Sequence, residues 1–204
     1  MVQWAEGPVR REDEALRITG GSLRGRRIHT PASRHLRPAL ERVREAIFSI
    51  LLSRLPDARV LDAFAGTGLL GLECLSRGAA EVVFVEQHRP TAGYLEELLA
   101  EWRLADRARV MTADFIRAAH HLGKDGPFDL VFLDPPYPKH LLVEALQATA
   151  AGRLVKPEGL VIVKRHPKEA LTAPAAFAVY DERRYGDSMV TFFKLRMEGE
   201  TCPS

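Results

Sequence analysis

The chemistry of this chain is densest at Asp134, Pro135, Pro136 and Tyr137, which close the stretch Asp129-Leu-Val-Phe-Leu-Asp-Pro-Pro-Tyr137. Pro135 biases Asp134 away from helix, and the two prolines stiffen the turn while leaving carbonyls free to accept hydrogen bonds. A carboxylate, free carbonyls and an aromatic ring suit a flat heterocycle that carries an exocyclic amino group. The ring would stack on Tyr137, and the NH2 would donate to Asp134 and to a carbonyl. A rigid turn with a solvated aspartate is the plainer alternative; four such residues together favour the ligand.

A second set lies upstream. Gly66, Gly68 and Gly71 form G-x-G-x-x-G within Asp62-Ala-Phe-Ala-Gly-Thr-Gly-Leu-Leu-Gly71, and Glu86 follows 20 residues after Gly66. Such glycines allow a tight turn and close backbone approach, and an acid at that distance can take two ribose hydroxyls. The pattern fits a dinucleotide or S-adenosylmethionine, and the glycines could also serve helix–strand packing. Two features tilt it toward S-adenosylmethionine. Asp62 can engage an ammonium group, which a pyrophosphate ligand lacks, and the Asp-Pro-Pro-Tyr turn positions an amine, which hydride transfer does not need. Asp114 could accept from an adenine amino group or cap a helix. The candidate cofactor set is Asp62, Phe64, Gly66, Thr67, Gly68, Gly71, Glu86, Gln87 and Asp114.

The elements that must position these residues alternate along the chain. Leu130 to Leu133 is an apolar run of the kind buried on both faces of a parallel sheet. Strands are expected at 59–63, 81–86, 109–112, 129–133 and 160–164, with helices at 69–76, 91–104, 115–122 and 140–151 between them. Strands at 176–185 and 189–195 join through Gly186-Asp187-Ser188 as a hairpin. The implied α/β fold is a mostly parallel seven-stranded sheet with helices on both faces and an antiparallel edge hairpin. Such sheets bind ligands at the carboxyl ends of their strands. Ahead of them, a β-hairpin is expected from Arg17 to Thr30 with Gly20-Gly21-Ser22 as its turn, then a helix over 40–55. The expected organisation is a mobile N-terminus (1–14), a basic hairpin and helix extension (15–56), the catalytic domain (57–197) and a tail (198–204).

At 204 residues, with 46% hydrophobic and 27% charged residues, the composition is that of a globular protein with a substantial core. Nothing reads as a membrane span or signal peptide, and two cysteines, Cys74 and Cys202, make no disulfide framework. A cytoplasmic, membrane-free chain is expected. The seven histidines are scattered, so no metal site is expected. Net charge is only +2, yet Arg17, Arg24, Arg26, Arg27, Arg34, Arg37, Arg42 and Arg44 face a single acid, Glu41, between residues 17 and 44. That segment carries +7 and leaves −5 for the rest, an asymmetry that points to a polyanion held by the front of the chain.

From Arg17 to Leu195 the chain resembles the RsmD family of 16S rRNA guanine-N2 methyltransferases. The likeness rests on Arg17-Ile-Thr-Gly-Gly-Ser-Leu-Arg-Gly-Arg26, Leu36-Arg-Pro38, Arg42-Val-Arg-Glu45, the Asp62 to Glu73 loop and helix, Asp134 to Tyr137, and Arg184-Tyr-Gly186. The resemblance implies a Rossmann-like class I methyltransferase fold with S-adenosylmethionine as cofactor. It implies methylation of nucleotide 966 of 16S rRNA in an assembling 30S particle, by a monomer. Asp134, Pro135, Pro136 and Tyr137 would be catalytic and the eight arginines would bind RNA. The chain departs from the family pattern at Ala39-Leu40, where threonines are usual, and at His88 and Lys164, where acids are expected. Competing readings are an adenine-N6 or protein-glutamine methyltransferase, a non-catalytic RNA-binding assembly factor and a nicotinamide oxidoreductase.

Overall fold

The computed structural model describes residues 16–28, 38–135, 140–169 and 171–196, with the side chains of 38–40 and 140 excepted. Among the described residues, nine strands and five α-helices run in chain order: β1 (Leu16–Arg17), β2 (Arg27–Ile28), α1 (Pro38–Ile50), β3 (Arg59–Asp62), α2 (Leu69–Ser76), β4 (Glu81–Glu86), α3 (Arg89–Glu101), β5 (Ala108–Thr112), α4 (Phe115–Leu122), β6 (Phe128–Leu133), α5 (His140–Ala151), β7 (Val155–Arg165), β8 (Phe177–Tyr185) and β9 (Ser188–Leu195). Strands β3 to β9 form one seven-stranded sheet in the order β5-β4-β3-β6-β7-β9-β8. Pairing is parallel from β5 to β7 and antiparallel for β7–β9 and β9–β8.

The two-residue period of the strands divides the core between the two faces. Val60, Val82, Phe84, Leu130, Phe132 and Ile162 pack toward α1, α2, α3 and the β1–β2 hairpin. Leu61, Val83, Val85, Val131, Leu133 and Val163 pack toward α4 and α5. Because β4 and β5 extend from one side of β3 while β6 lies on its other side, the strand order reverses between β3 and β6. The crevice that such a reversal opens lies at the carboxyl ends of the strands. Asp62 and Glu86 end β3 and β4, and Asp134 directly follows β6.

Several element boundaries differ from the periodicity. The first helix ends at Ile50, not Leu55, and continues as a 3-10 turn over Leu52–Arg54. Leu51 and Leu55 both remain fully buried, so tightening the backbone preserved the apolar spacing. Helix α3 starts at Arg89, with Pro90 in its first turn where a missing N–H costs nothing. It stops at Glu101 because Arg103 turns left-handed at φ +57°. Strand β7 begins at Val155, five residues early, across a register shift against β6. The turn of the front hairpin spans Gly20 to Gly25 rather than three residues, with positive φ at both Gly21 and Gly25.

Candidate active site

The turn after β3 assigns a different task to each glycine. Gly66 takes φ +51° with open space where a side chain would project, so backbone is presented bare to the crevice. Gly68, at φ +74°, is the N-cap of α2. Gly71 lies inside α2, where a methyl group would overlap the Phe84 ring and crowd Val82. Its role is close packing of helix on strand. The packing alternative raised by the sequence thus holds for Gly71, while Gly66 faces the cavity.

Asp62 and Glu86 fix this loop from two sides. Asp62 Oδ2 accepts from the Gly71 N–H at 3.0 Å, and the residue is only 2% exposed. Burial, which outweighs the Gly71 hydrogen bond, pushes its carboxyl up to about 7, with smaller contributions from the nearby charges of Asp134 and Glu86. The carboxyl lies beneath the loop, not in the cavity wall, so the ammonium contact expected of it is not open in this arrangement. Glu86 accepts from Gly66 N at 2.8 Å through Oε2 and from His88 N at 2.7 Å through Oε1. Both oxygens keep a lone pair for a diol.

A cavity of about 500 Å³ opens at these strand ends. Gly66, Glu86, Gln87, Asp114, Asp134 and Pro135 supply its polar and backbone rim. Phe64, Val85, Phe115, Ile116 and Leu141 supply apolar wall, with the Phe64 and Phe115 rings edge to face at 5.4 Å. Of the expected cofactor set, Phe64, Gly66, Glu86, Gln87 and Asp114 meet here; Asp62, Thr67, Gly68 and Gly71 do not line it. Asp114 also caps α4, accepting from Arg117 N at 3.0 Å, so the cap role is seen at a residue that also lines the cavity. Phe115, Ile116 and Leu141 were missed because apolar residues in helix-forming stretches carry no mark of a ligand. Pro136 and Tyr137 lie outside the described residues. No three-residue cluster of metal-ligating type occurs among the described residues.

Asp134 sits at the mouth, its side chain 35% exposed, with Oδ2 held by Lys164 Nζ at 2.5 Å. Lys164 is the residue that replaces an expected acid, and its contact with Asp134 was not foreseen.

The family model described as "Conserved hypothetical protein 95" matches residues 16–194. The chain belongs to the RsmD family. "Ribosomal RNA small subunit methyltransferase D" of Escherichia coli K12 is 36% identical over 188 residues, covering 91% of this chain and 93% of that protein. The protein of the same name from Haemophilus influenzae is 31% identical over 84% and 89%. A hypothetical protein of Thermus thermophilus superposes with a TM-score of 0.74 at 30% identity, covering 88% and 99%. Magnesium protoporphyrin IX methyltransferase from Synechocystis, at 20% identity and a TM-score of 0.61, shares the fold alone. The fold is that of the class I methyltransferases.

In this RsmD-family chain the front arginines divide into two kinds. Arg17, Arg24, Arg26, Arg27 and Arg42 are exposed, and the Arg26 guanidinium lies 5.1 Å from the Trp102 ring centroid. Arg44 is the exception and corrects the expectation. It is 7% exposed, donates from Nε to Glu73 Oε1 at 2.9 Å, and reaches the Arg17 carbonyl at 2.8 Å. Its helical position turns it inward toward a fully buried acid, so it has no surface to offer RNA. Arg34 and Arg37 lie outside the described residues.

Proposed function

We propose that the chain transfers a methyl group from S-adenosylmethionine to the exocyclic N2 amine of a guanine in 16S rRNA, at nucleotide 966. The substrate is free or assembling small-subunit RNA, and the chain acts as a cytoplasmic monomer. The observation that carries this reading is Asp134 and Pro135 on the rim of the cavity that Gly66 and Glu86 also line. The relatives named for small-subunit ribosomal RNA support the substrate class.

The residues present fit S-adenosylmethionine. Glu86 would take the ribose diol, the bare backbone at Gly66 would admit the ligand closely, and Asp114 would accept from adenine between Phe64, Phe115 and Ile116. When bound, the cofactor supplies a methyl group on a positively charged sulfur. The protein's task is then the amine. A guanine N2 lone pair is delocalised into the ring, so the nitrogen is a weak nucleophile. Asp134 and the Pro135 carbonyl, accepting its two hydrogens, favour a pyramidal nitrogen with the lone pair directed out of the ring plane. Positive charge grows on that nitrogen as it reacts, and a fixed carboxylate stabilises it. The base edge is reachable only from a loop or a flipped nucleotide, and Tyr137 would stack on the extruded base. Arg24, Arg26 and Arg27 would hold phosphates, giving position without sequence information.

Incubation of the protein with tritiated S-adenosylmethionine and, in parallel, free 16S rRNA and assembling small-subunit particles, followed by nuclease mapping, tests the reading. Label at N2 of one guanine is expected; label on an adenine N6, or none, overturns it.

A further inference from the structure

Asp134 and Lys164 are neighbours by register. Strands β6 and β7 run parallel with Leu133 opposite Val163, so the next residues, Asp134 and Lys164, lie side by side with their side chains on the same face. On its other flank Lys164 is opposite Val190 of β9, an apolar residue. Lys164 Nζ rests on Asp134 Oδ2 at 2.5 Å, and the two side chains are 33% and 35% exposed. An ion pair at that exposure is a weak contact, easily exchanged for another.

The contact also conflicts with the task assigned to the carboxylate. Asp134 is to stabilise positive charge growing on the substrate amine. A lysine held against the same carboxylate throughout would offset that field and repel the developing charge. Lys164 therefore has to move to another anion as the substrate enters. A nucleotide extruded to reach Asp134 brings one with it, its own phosphodiester. The flexible four-carbon stem and compact ammonium of lysine suit such an exchange.

We propose that Lys164 binds the phosphodiester of the nucleotide being methylated, and that its contact with Asp134 is the resting position it leaves when RNA arrives. This rests on the reading of Asp134 as the acceptor for the amine. Lys164 is then an RNA-binding residue inside the site, apart from the front arginines, and it uncovers the carboxylate only when a phosphate is present.

The test compares wild type, Lys164→Met and Lys164→Arg in two assays on deproteinised 16S rRNA. One measures kcat and KM for methyl transfer from tritiated S-adenosylmethionine. The other measures binding of the labelled RNA without cofactor at salt concentrations from about 50 to 200 mM. Lys164→Met is expected to raise KM several-fold and to lower the log–log salt slope by about 0.7, one phosphate contact on unpaired RNA. The loss falls on KM, not on kcat, and Lys164→Arg retains both KM and slope. A fall in kcat with KM and slope unchanged would assign Lys164 to orienting Asp134 and overturn the proposal. So would a variant indistinguishable from wild type. If wild type transfers no methyl to guanine in either free RNA or small-subunit particles, the proposed function fails, while the salt slope still decides the fate of Lys164.

Discussion

Asp62, Glu86 and Asp134 are acids at the carboxyl ends of β3, β4 and β6, and each is held differently. Asp134 has one oxygen on a lysine at the mouth, and on the proposed reading its role is confined to the reacting complex. Asp134→Ala should therefore lower turnover by about 10²-fold or more, as loss of a preorganised polar group does, with cofactor affinity little changed. Single-turnover assays beside calorimetry with S-adenosylmethionine separate the two effects. Glu86 holds the loop through Gly66 N and His88 N, and on the proposed reading it also takes the ribose diol. Glu86→Ala should weaken S-adenosylmethionine binding by roughly 1.5–3 kcal/mol, read by the same calorimetry on folded protein. Asp62 is a question of protons. Its carboxyl is pushed up to about 7 in the folded protein from 3.8, chiefly by burial. Between those values the folded state keeps a proton that the unfolded chain has lost, so stability falls as pH rises through this window. The contribution is on the order of 4 kcal/mol at about 1.4 kcal/mol per pH unit. Asp62→Asn preserves an acceptor for Gly71 N and should flatten the dependence, a result visible in denaturant titrations at pH 4.5, 6 and 8.

Among the elements, those whose ends are set by local chemistry were legible and those set by tertiary contact were not. Helix α2 was read at its true limits because the glycine turn opens it and Gly78 follows its end; α4 and α5 were read equally well. The ends of α1 and α3 were missed because a buried Leu55 is compatible with a tightened turn, and a left-handed Arg103 has no signature in its residue type. The rim of the site was legible for the same reason as α2, since glycines and acids at strand ends are rare and specific. Its apolar wall was not. The direction of a helical side chain was a further blind spot, as Arg44 shows: one position of α1 separates an exposed Arg42 from a buried Arg44. Glu73, on α2, explains what Arg44 does. Fully buried, it receives Arg44, Arg77 and both the backbone and hydroxyl donors of Thr19. Replacing Glu73 with alanine would leave two guanidinium groups without their anion and should cost about 3–5 kcal/mol, measurable as a lowered denaturant midpoint.

For the molecule as a whole, the uneven charge along the chain becomes a division of labour among the arginines. Neutralising Arg24, Arg26 and Arg27 together should weaken RNA binding whatever the sequence, and should lower the salt slope by about 0.7 for each phosphate no longer held on single-stranded RNA. The Arg26 contact with Trp102 makes some loss of melting temperature expected too, and a slope that stayed put while stability fell would show these arginines to be structural. The attachment of that hairpin bears on how the whole chain can be changed. The turn of the hairpin is fastened to the last turn of α2: Ser22 N reaches the Ser76 carbonyl at 2.7 Å, Leu23 N reaches Ser76 Oγ at 2.9 Å, and Ser76 Oγ donates to the Gly20 carbonyl at 2.5 Å. Ile18 and Ile28 are buried in the same core as Val60, Phe84 and Phe132. The basic extension is therefore not modular. Cutting the chain ahead of β3 would uncover the part of one sheet face that α1 and the hairpin protect and take Arg44 and Thr19 from the buried Glu73, so a body freed of its basic front should emerge misfolded rather than merely indifferent to RNA. A gene fusion or domain exchange that respects this molecule has to carry the hairpin and α2 together, as one inheritable unit.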